Sequence, residues 1–222
     1  MTARQGAAAG RQHPGRRAGA AALLALALLV ACTRYEPRRS GGPAATAWPT
    51  GGACMAALAS QGIAVTTWPA PVGGSCAVDA PVVPVANPPL LSPPPRTSCS
   101  MLFAWAAFEP TVKELARRHL GRELRAIQTY GSYACRPMTG NRSRFSLHAN
   151  GRALDIAAFE LADGRRISVQ REWHARSTEA RFLRAVALAA CERFSVVLTP
   201  ETDQAHQDHI HVDIGPWKVC DA

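Results

Sequence analysis

The sequence predicts an α+β domain: a small, mainly antiparallel sheet flanked by helices and stapled by disulfides. Three observations carry that expectation. A helical apolar period runs through "EARFLRAVALAACERF". Short stretches with strand-like alternation, "LRAIQTYGSYAC" and "IAAFELADGRRISV", are set off by turn residues. An even set of six cysteines follows an export-type leader. The 222 residues suffice for one core-bearing domain with leader and linker, and 47% hydrophobic residues can fill its core.

Taken in order, the chain begins with a basic stretch ending "GRRAG" and an apolar run, "AAALLALALLVAC". That run is too short for a stable membrane span and has the form of an export signal over residues 1–31. Leu29-Val30-Ala31-Cys32 resembles the bacterial lipobox, which implies that Cys32 is lipidated; Thr33 after it resembles the pattern sorted to the outer membrane. The alternative is an ordinary signal peptide. Residues 32–50, rich in Pro, Gly and Arg, read as a tether.

Residues 51–98 hold a short helix at Met55–Ser60, a short strand at Ile63–Thr67, and the proline-rich "PVVPVANPPLLSPPPR". Prolines disfavour a central strand there, so this segment is expected to run extended over the surface of the domain, pinned by its cysteines. The main domain is expected over 99–222, beginning with a buried helix, "CSMLFAWAAFE", whose Trp105 and Phe108 are core candidates. Pro110 is expected to open a second helix ended by Gly121. Strand "LRAIQTYGSYAC" comes next, then a hairpin around Asp163-Gly164, a helix capped by Thr178, and the strand "SVVLTP".

Cys54, Cys76, Cys99, Cys135, Cys191 and Cys220 allow 15 pairings, among which sequence alone does not choose. Cys54–Cys76 would close a local loop, and Cys191–Cys220 would staple the last helix to the end of the chain. Thiolate metal ligation is disfavoured because no CxxC pair exists. The net charge is +9, but four of the arginines (Arg4, Arg11, Arg16, Arg17) precede Cys32, so the surplus elsewhere is mild. It suits an anionic wall polymer or lipid. No basic stripe with interleaved aromatics appears, which argues against nucleic acid as a partner.

The chemistry concentrates in two stretches. In "AHQDHIHVDIG" (205–215), read as a strand, His209, His211 and Asp213 face one side while Ile210, Val212 and Ile214 face the other. His206 lies just before and can fold back over the polar face. In "SRFSLHANGRALDI", His148 and Asp155 flank the turn dipeptide Asn150-Gly151, and Gly151 permits close backbone approach. Either stretch alone is weak, since most such pairs are surface or core-edge residues. Together, His148, Asp155 and His211 form an N/O donor set suited to a divalent ion with an open position. His119 and His174 read as surface or packing residues. Ser146 has no triad partner and reads as support for the loop before His148. Arg142, Arg144 and Arg152 are either a rim for an anionic substrate or simply solvated.

"SxHxxGxAxDI" and then "HxxHxH" resemble the zinc-peptidase superfamily of D-Ala-D-Ala metallopeptidases, murein endopeptidases, lysostaphin-type enzymes and hedgehog domains. More closely, "GSYACR", "SLHANGRALDIAAFELADGRRISV", "FLRAVALAACERFSVVLTP" and "HQDHIHVDIG" resemble the bacterial extensin-like C-terminal family, over roughly residues 95–220. The resemblance implies a hedgehog/DD-peptidase-like fold and one Zn2+ ion held by His148, Asp155 and His211. It makes His209 the catalytic histidine, His206 an additional active-site histidine, and Arg136 the group that positions substrate or meets the developing oxyanion. Some members carry a glutamate base just upstream of the last ligand; here Glu201, Asp203 and Asp208 are nearby, and none matches that position.

The resemblance and the leader together imply a monomeric, lipid-anchored zinc hydrolase on the periplasmic side of the cell envelope. It would cut a peptidoglycan peptide bond, as carboxypeptidase or endopeptidase, with His209 as base and Asp213 orienting a histidine or facing solvent. The alternative is a non-catalytic zinc-binding or peptidoglycan-binding module.

Overall fold

The computed structural model describes residues 47–86 and 90–222. The export leader, Cys32 and all of the expected tether before Ala47 lie outside these residues. Ala47–Thr50, assigned to the tether on sequence, already pack: the Trp48 ring meets Phe103 edge-on at 6.5 Å, and the Ser100 hydroxyl donates to the Pro49 carbonyl at 2.6 Å. Among the described residues no helix is long and apolar enough to cross a membrane.

The architecture is α+β, as expected. Helix α1 (Gly51–Ser60) leads to β1 (Ala64–Thr67), β2 (Pro81–Ala86), β3 (Leu91–Ser92) and β4 (Thr97–Ser98). The long helix α2 (Cys99–Leu120) precedes β5 (Leu124–Gly131), β6 (Pro137–Met138), β7 (Asn141–Phe145), β8 (Ala153–Leu161) and β9 (Arg166–Ser168). Then come α3 (Val169–Glu172), α4 (Thr178–Arg193), β10 (Val196–Leu198), β11 (Ile210–Asp213) and β12 (Val219–Cys220). The main sheet has the order β12-β10-β11-β8-β5-β3, with β9 pairing β8. It is antiparallel except at its two edges, where β3 runs parallel to β5 and β12 to β10. The hairpin around Asp163-Gly164 is β8–β9.

Three expectations about helices and strands are corrected. First, α2 does not restart at Pro110 but runs through it. Leu102, Trp105, Phe108, Val112 and Ala116 form one buried stripe across the proline. Burying Trp105 and Phe108 contributes roughly 1.5–3 kcal/mol each, enough to offset the ~3 kcal/mol of a helix-interior proline. Ser98 caps the start, and Gly121, at φ +63°, ends the helix in the left-handed conformation. Second, α4 is capped one residue earlier than expected, by Ser177, whose hydroxyl accepts from the Ala180 N–H at 3.1 Å.

Third, the proline-rich segment is not merely laid over the surface. β2 is the middle strand of a separate sheet, β1-β2-β4. Pro84 pairs only with Val65 of β1 and Pro81 only with Ser98 of β4. Each proline therefore has a neighbour on one side only, which is the position a strand proline tolerates. Cys54, Leu58, Val82 and Leu91 belong to the same hydrophobic core as α2, β8 and α4. The core is aromatic at its centre: Phe194 meets Phe108 at 5.3 Å, and Phe159 of β8 meets Phe182 of α4 at 5.0 Å.

Among the described residues the disulfides are Cys54–Cys99, Cys76–Cys135 and Cys191–Cys220. The last is as expected. The local Cys54–Cys76 loop is not formed: Cys54 ties α1 to the start of α2, and Cys76 ties the N-terminal segment to the strand connection ahead of β6.

β8 sets up the site. Its core residues Leu154, Ile156, Phe159 and Leu161 do not keep a single alternation. In the β5/β8 ladder Gln128 faces Ala158 and Thr129 faces Ile156, so Ala157 is an extra residue. That bulge lets both apolar pairs turn inward and sends Asp155 to the opposite face.

Candidate metal centre

His148 sits on a single 3-10 turn, Leu147–Asn150, between β7 and β8. Ser146 opens the turn, its hydroxyl accepting the His148 N–H at 3.3 Å, so it supports the loop. Gly151 closes the turn at φ +60°. A Cβ there would stand 2.7 Å from the backbone nitrogen of Ser98. The approach is used: the Gly151 carbonyl accepts from the Ser98 N–H, the Ser98 hydroxyl and the Thr97 hydroxyl, each at 2.9 Å. The side-chain amide of Asn150 donates to the carbonyls of Ser75 and Ala77, beside the Cys76–Cys135 disulfide. The N-terminal segment thus holds the loop from one side.

β11 lies beside β8 with His211 opposite Asp155. This register brings together residues more than 50 positions apart. The Asp155 carboxylate lies 2.9 Å from His211 Nδ1, 3.2 Å from His148 Nε2 and 3.4 Å from His209 Nε2. Suitable donor atoms of His148, Asp155 and His211 all fall within 4.8 Å of one another, so the three can hold a metal ion. His148, His209 and His211 are buried.

The donor chemistry fits a metal for a further reason. Each of the four histidines has one ring nitrogen turned to an oxygen. His148 Nδ1 meets the Ser132 carbonyl at 2.6 Å, and His211 Nε2 meets Asp213 at 3.4 Å. His209 Nδ1 meets Asp208 at 2.8 Å, and His206 Nδ1 meets Asp203 at 2.7 Å. These partners hold the far side of each ring and turn His148 Nε2 and His211 Nδ1 toward Asp155 and, at 3.2 Å, toward each other, as the atoms that could ligate a metal. Asp213 is itself fixed by the Gly215 N–H at 2.9 Å, so it orients His211 rather than facing solvent.

Electrostatics agree with this arrangement. Burial alone would raise the Asp155 carboxyl, but hydrogen bonds and charge from His148 and His211 hold it well below the usual carboxylate range. Burial would lower His211, yet its bonds to Asp155 and Asp213 raise it to about 9. Burial pushes His206 below its ordinary value despite Asp203.

The cluster lies in a cleft of about 660 Å³. Arg136 lies at the cleft as an exposed side chain, joined there by His206 and His209. Arg144 also lines the cleft, whereas Arg152 donates to the Ile214 carbonyl and lines a different cavity. His119 is half-buried at the end of α2, and His174 is exposed beside Glu201, 3.5 Å away. Glu201 also accepts the Trp173 indole N–H, which commits it away from the metal cluster. Sequence reasoning missed Ser132, a backbone acceptor without a side-chain signature, and Tyr130, whose hydroxyl lies 3.2 Å from Asp208. Asp203 and Asp208 were visible as acids; their roles as imidazole partners were not.

The family model described as "Extensin-like protein C-terminus" matches residues 52–221. That span is wider than the motif-bearing residues 95–220 and takes in α1, β1 and β2. No curated protein and no solved structure matches.

Proposed function

The chain belongs to the extensin-like protein C-terminus family, and from that premise we propose that it is a zinc-dependent hydrolase of peptidoglycan peptide bonds, allied to the D-Ala-D-Ala metallopeptidases. The observation that carries the reading is the convergence of His148, Asp155 and His211, each imidazole anchored by its far nitrogen. A zinc ion on this donor set would supply Lewis acidity, polarising the substrate carbonyl and making water more acidic.

The remaining steps belong to the chain. His209, its Nδ1 held by Asp208, turns Nε2 toward the cluster and takes the proton of the attacking water. His206, whose ring centroid is 5.2 Å from that of His209 and whose proton affinity is lowered by burial, receives the proton that His209 took from water and delivers it to the leaving amine. Arg136 meets the charge developing on the carbonyl oxygen. The leader and the lipobox-like Leu29–Cys32 support export and a lipid anchor on the periplasmic side, at the outer membrane. Peptidoglycan is the abundant peptide polymer within a tether's reach of that position.

The test is digestion of isolated murein by the zinc-loaded protein. Release of peptide fragments is expected from wild type, none from His209→Ala with unchanged zinc content, and loss of zinc from His148→Ala. Stoichiometric zinc with no release from any murein preparation would leave a zinc-binding envelope module instead.

A further inference from the structure

The metal cleft is bordered by a hairpin that plays no part in the hydrolytic steps. Among the described residues β6 and β7 pair only with each other, and every residue of β7 is exposed. This hairpin and the loop after β11 place Met138, Phe145 and Trp217 on the cleft wall, 40%, 42% and 57% exposed. Grouped at one wall of the cleft, these three side chains offer an apolar contact surface to a bound peptide. Charge at the same wall is one-sided. The carboxylates lining the cleft, Asp155, Asp203 and Asp213, are each engaged by a histidine. Arg136 and Arg144 face no carboxylate among the described residues, whereas Arg117, Arg122, Arg125 and Arg165 outside the cleft each do.

Arg144 is held nonetheless. Its guanidinium carbon lies 5.1 Å from the Trp217 ring centroid, a cation–π contact that orders the side chain without using its N–H groups. An ordered guanidinium with free donors is shaped for bidentate pairing with a carboxylate. Met138 and Phe145 beside it suit the aliphatic arm of a peptide better than a bare phosphate.

We propose that Arg144, stacked on Trp217, binds a free carboxylate of the peptide whose scissile bond lies at the His148–Asp155–His211 cluster, with Met138 and Phe145 packing the arm that carries it. The proposal rests on the hydrolytic reading and narrows its substrate class to peptides with a free carboxylate near the cleaved bond.

Binding tests this without requiring turnover. A D-Ala-D-Ala-terminated tripeptide with no other carboxylate is titrated, as free acid and as carboxamide, into the zinc-loaded full chain carrying His209→Ala. The free acid should bind about tenfold or more tightly than the amide, as a charge-assisted pair predicts. Adding Arg144→Gln should bring the two within about twofold, and Trp217→Ala should also shrink the difference. Arg118→Gln, on the far end of α2, should leave it intact. Equal affinity for acid and amide, no binding of the acid, a preference that survives Arg144→Gln, or competition by inorganic phosphate as strong as by the free acid would each overturn the proposal. Murein release by wild type is scored separately. Acid preference without release sinks the hydrolytic reading and keeps the subsite, and release without acid preference does the reverse.

Discussion

Asp208 fixes which nitrogen of His209 faces the cluster, and Tyr130 fixes Asp208 in turn. An imidazole that must take a proton at Nε2 has to carry its hydrogen at Nδ1, and a carboxylate at 2.8 Å enforces that tautomer. Asp208→Ala should therefore lower murein release about 10–100-fold with zinc content unchanged, and Asp208→Asn, which keeps an acceptor oxygen, should recover part of it. Loss of zinc in step with activity would make Asp208 a structural support only. His211 gives a second prediction. In the metal-free protein its imidazole stays protonated up to about 9. A raised imidazole adds stability that is complete below its ordinary value of 6.5 and is lost as pH rises through about 9. Asp155, held below the carboxylate range, stays ionised throughout that window. Metal uptake must displace the His211 proton, so zinc affinity should rise roughly tenfold per pH unit from 6.5 to about 9 and then level off. A titration series with flat affinity across that range would rule the linkage out. The convergence of His148, Asp155 and His211 was legible because two ordered motifs carry them. Asp213 was legible as an orienting group beside His211, whereas the Ser132 carbonyl behind His148 and the loop acids behind His206 and His209 gain meaning only from the register that folds them beside a ring.

At the scale of elements, the turn between β7 and β8 is tightly constrained by backbone on its far side. Gly151 was readable as a point of close approach, but its partner, the β4–α2 junction at Thr97–Ser98, was not, since the two lie more than 50 residues apart. Gly151→Ala should destabilise the protein by about 2–4 kcal/mol, because left-handed strain adds to a backbone clash that has no flexible side chain to absorb it. Gly164 offers the comparison: it also has a positive φ, +86°, yet a Cβ there meets nothing within 4 Å. Gly164→Ala should cost only about 1 kcal/mol, from backbone strain alone. Denaturant unfolding of both variants decides the matter, and equal losses would mean that the Thr97–Ser98 clamp does not constrain the loop. The same logic explains why the helix break expected at Pro110 does not form. Local rules favour a break there, and the buried stripe on both sides of the proline overrides them.

Over the whole molecule, the three disulfides divide the labour of holding fold and site. Cys54–Cys99 and Cys191–Cys220 join helices and strands of the core, whereas Cys76–Cys135 is placed where the N-terminal segment grips the metal loop through Asn150. Cys191–Cys220 was anticipated from the sequence, but the other two pairings were not because they depend on the finished fold, and the prolines of β2 disguise a sheet member as a surface wrap. Loop lengths alone do not separate their effects: sequence separations of 59 and 29 residues correspond to stabilisation of about 4 kcal/mol in either case by the chain-entropy account. Zinc affinity does separate them. Replacing Cys76 and Cys135 by serine loosens Ser75–Ala77, the acceptors that fix Asn150 one residue before Gly151, and so frees the turn that presents His148 Nε2. The paired Cys76→Ser/Cys135→Ser variant should therefore lose about tenfold or more in zinc affinity at a temperature where it remains folded, since supports of metal ligands carry that weight. Cys191→Ser/Cys220→Ser, of similar stability loss, should bind zinc as wild type does, because its bond ties the end of α4 to β12 and touches no partner of His148, Asp155 or His211. Equal zinc affinity in the two variants would show that the N-terminal segment contributes stability alone and that the metal loop stands without it.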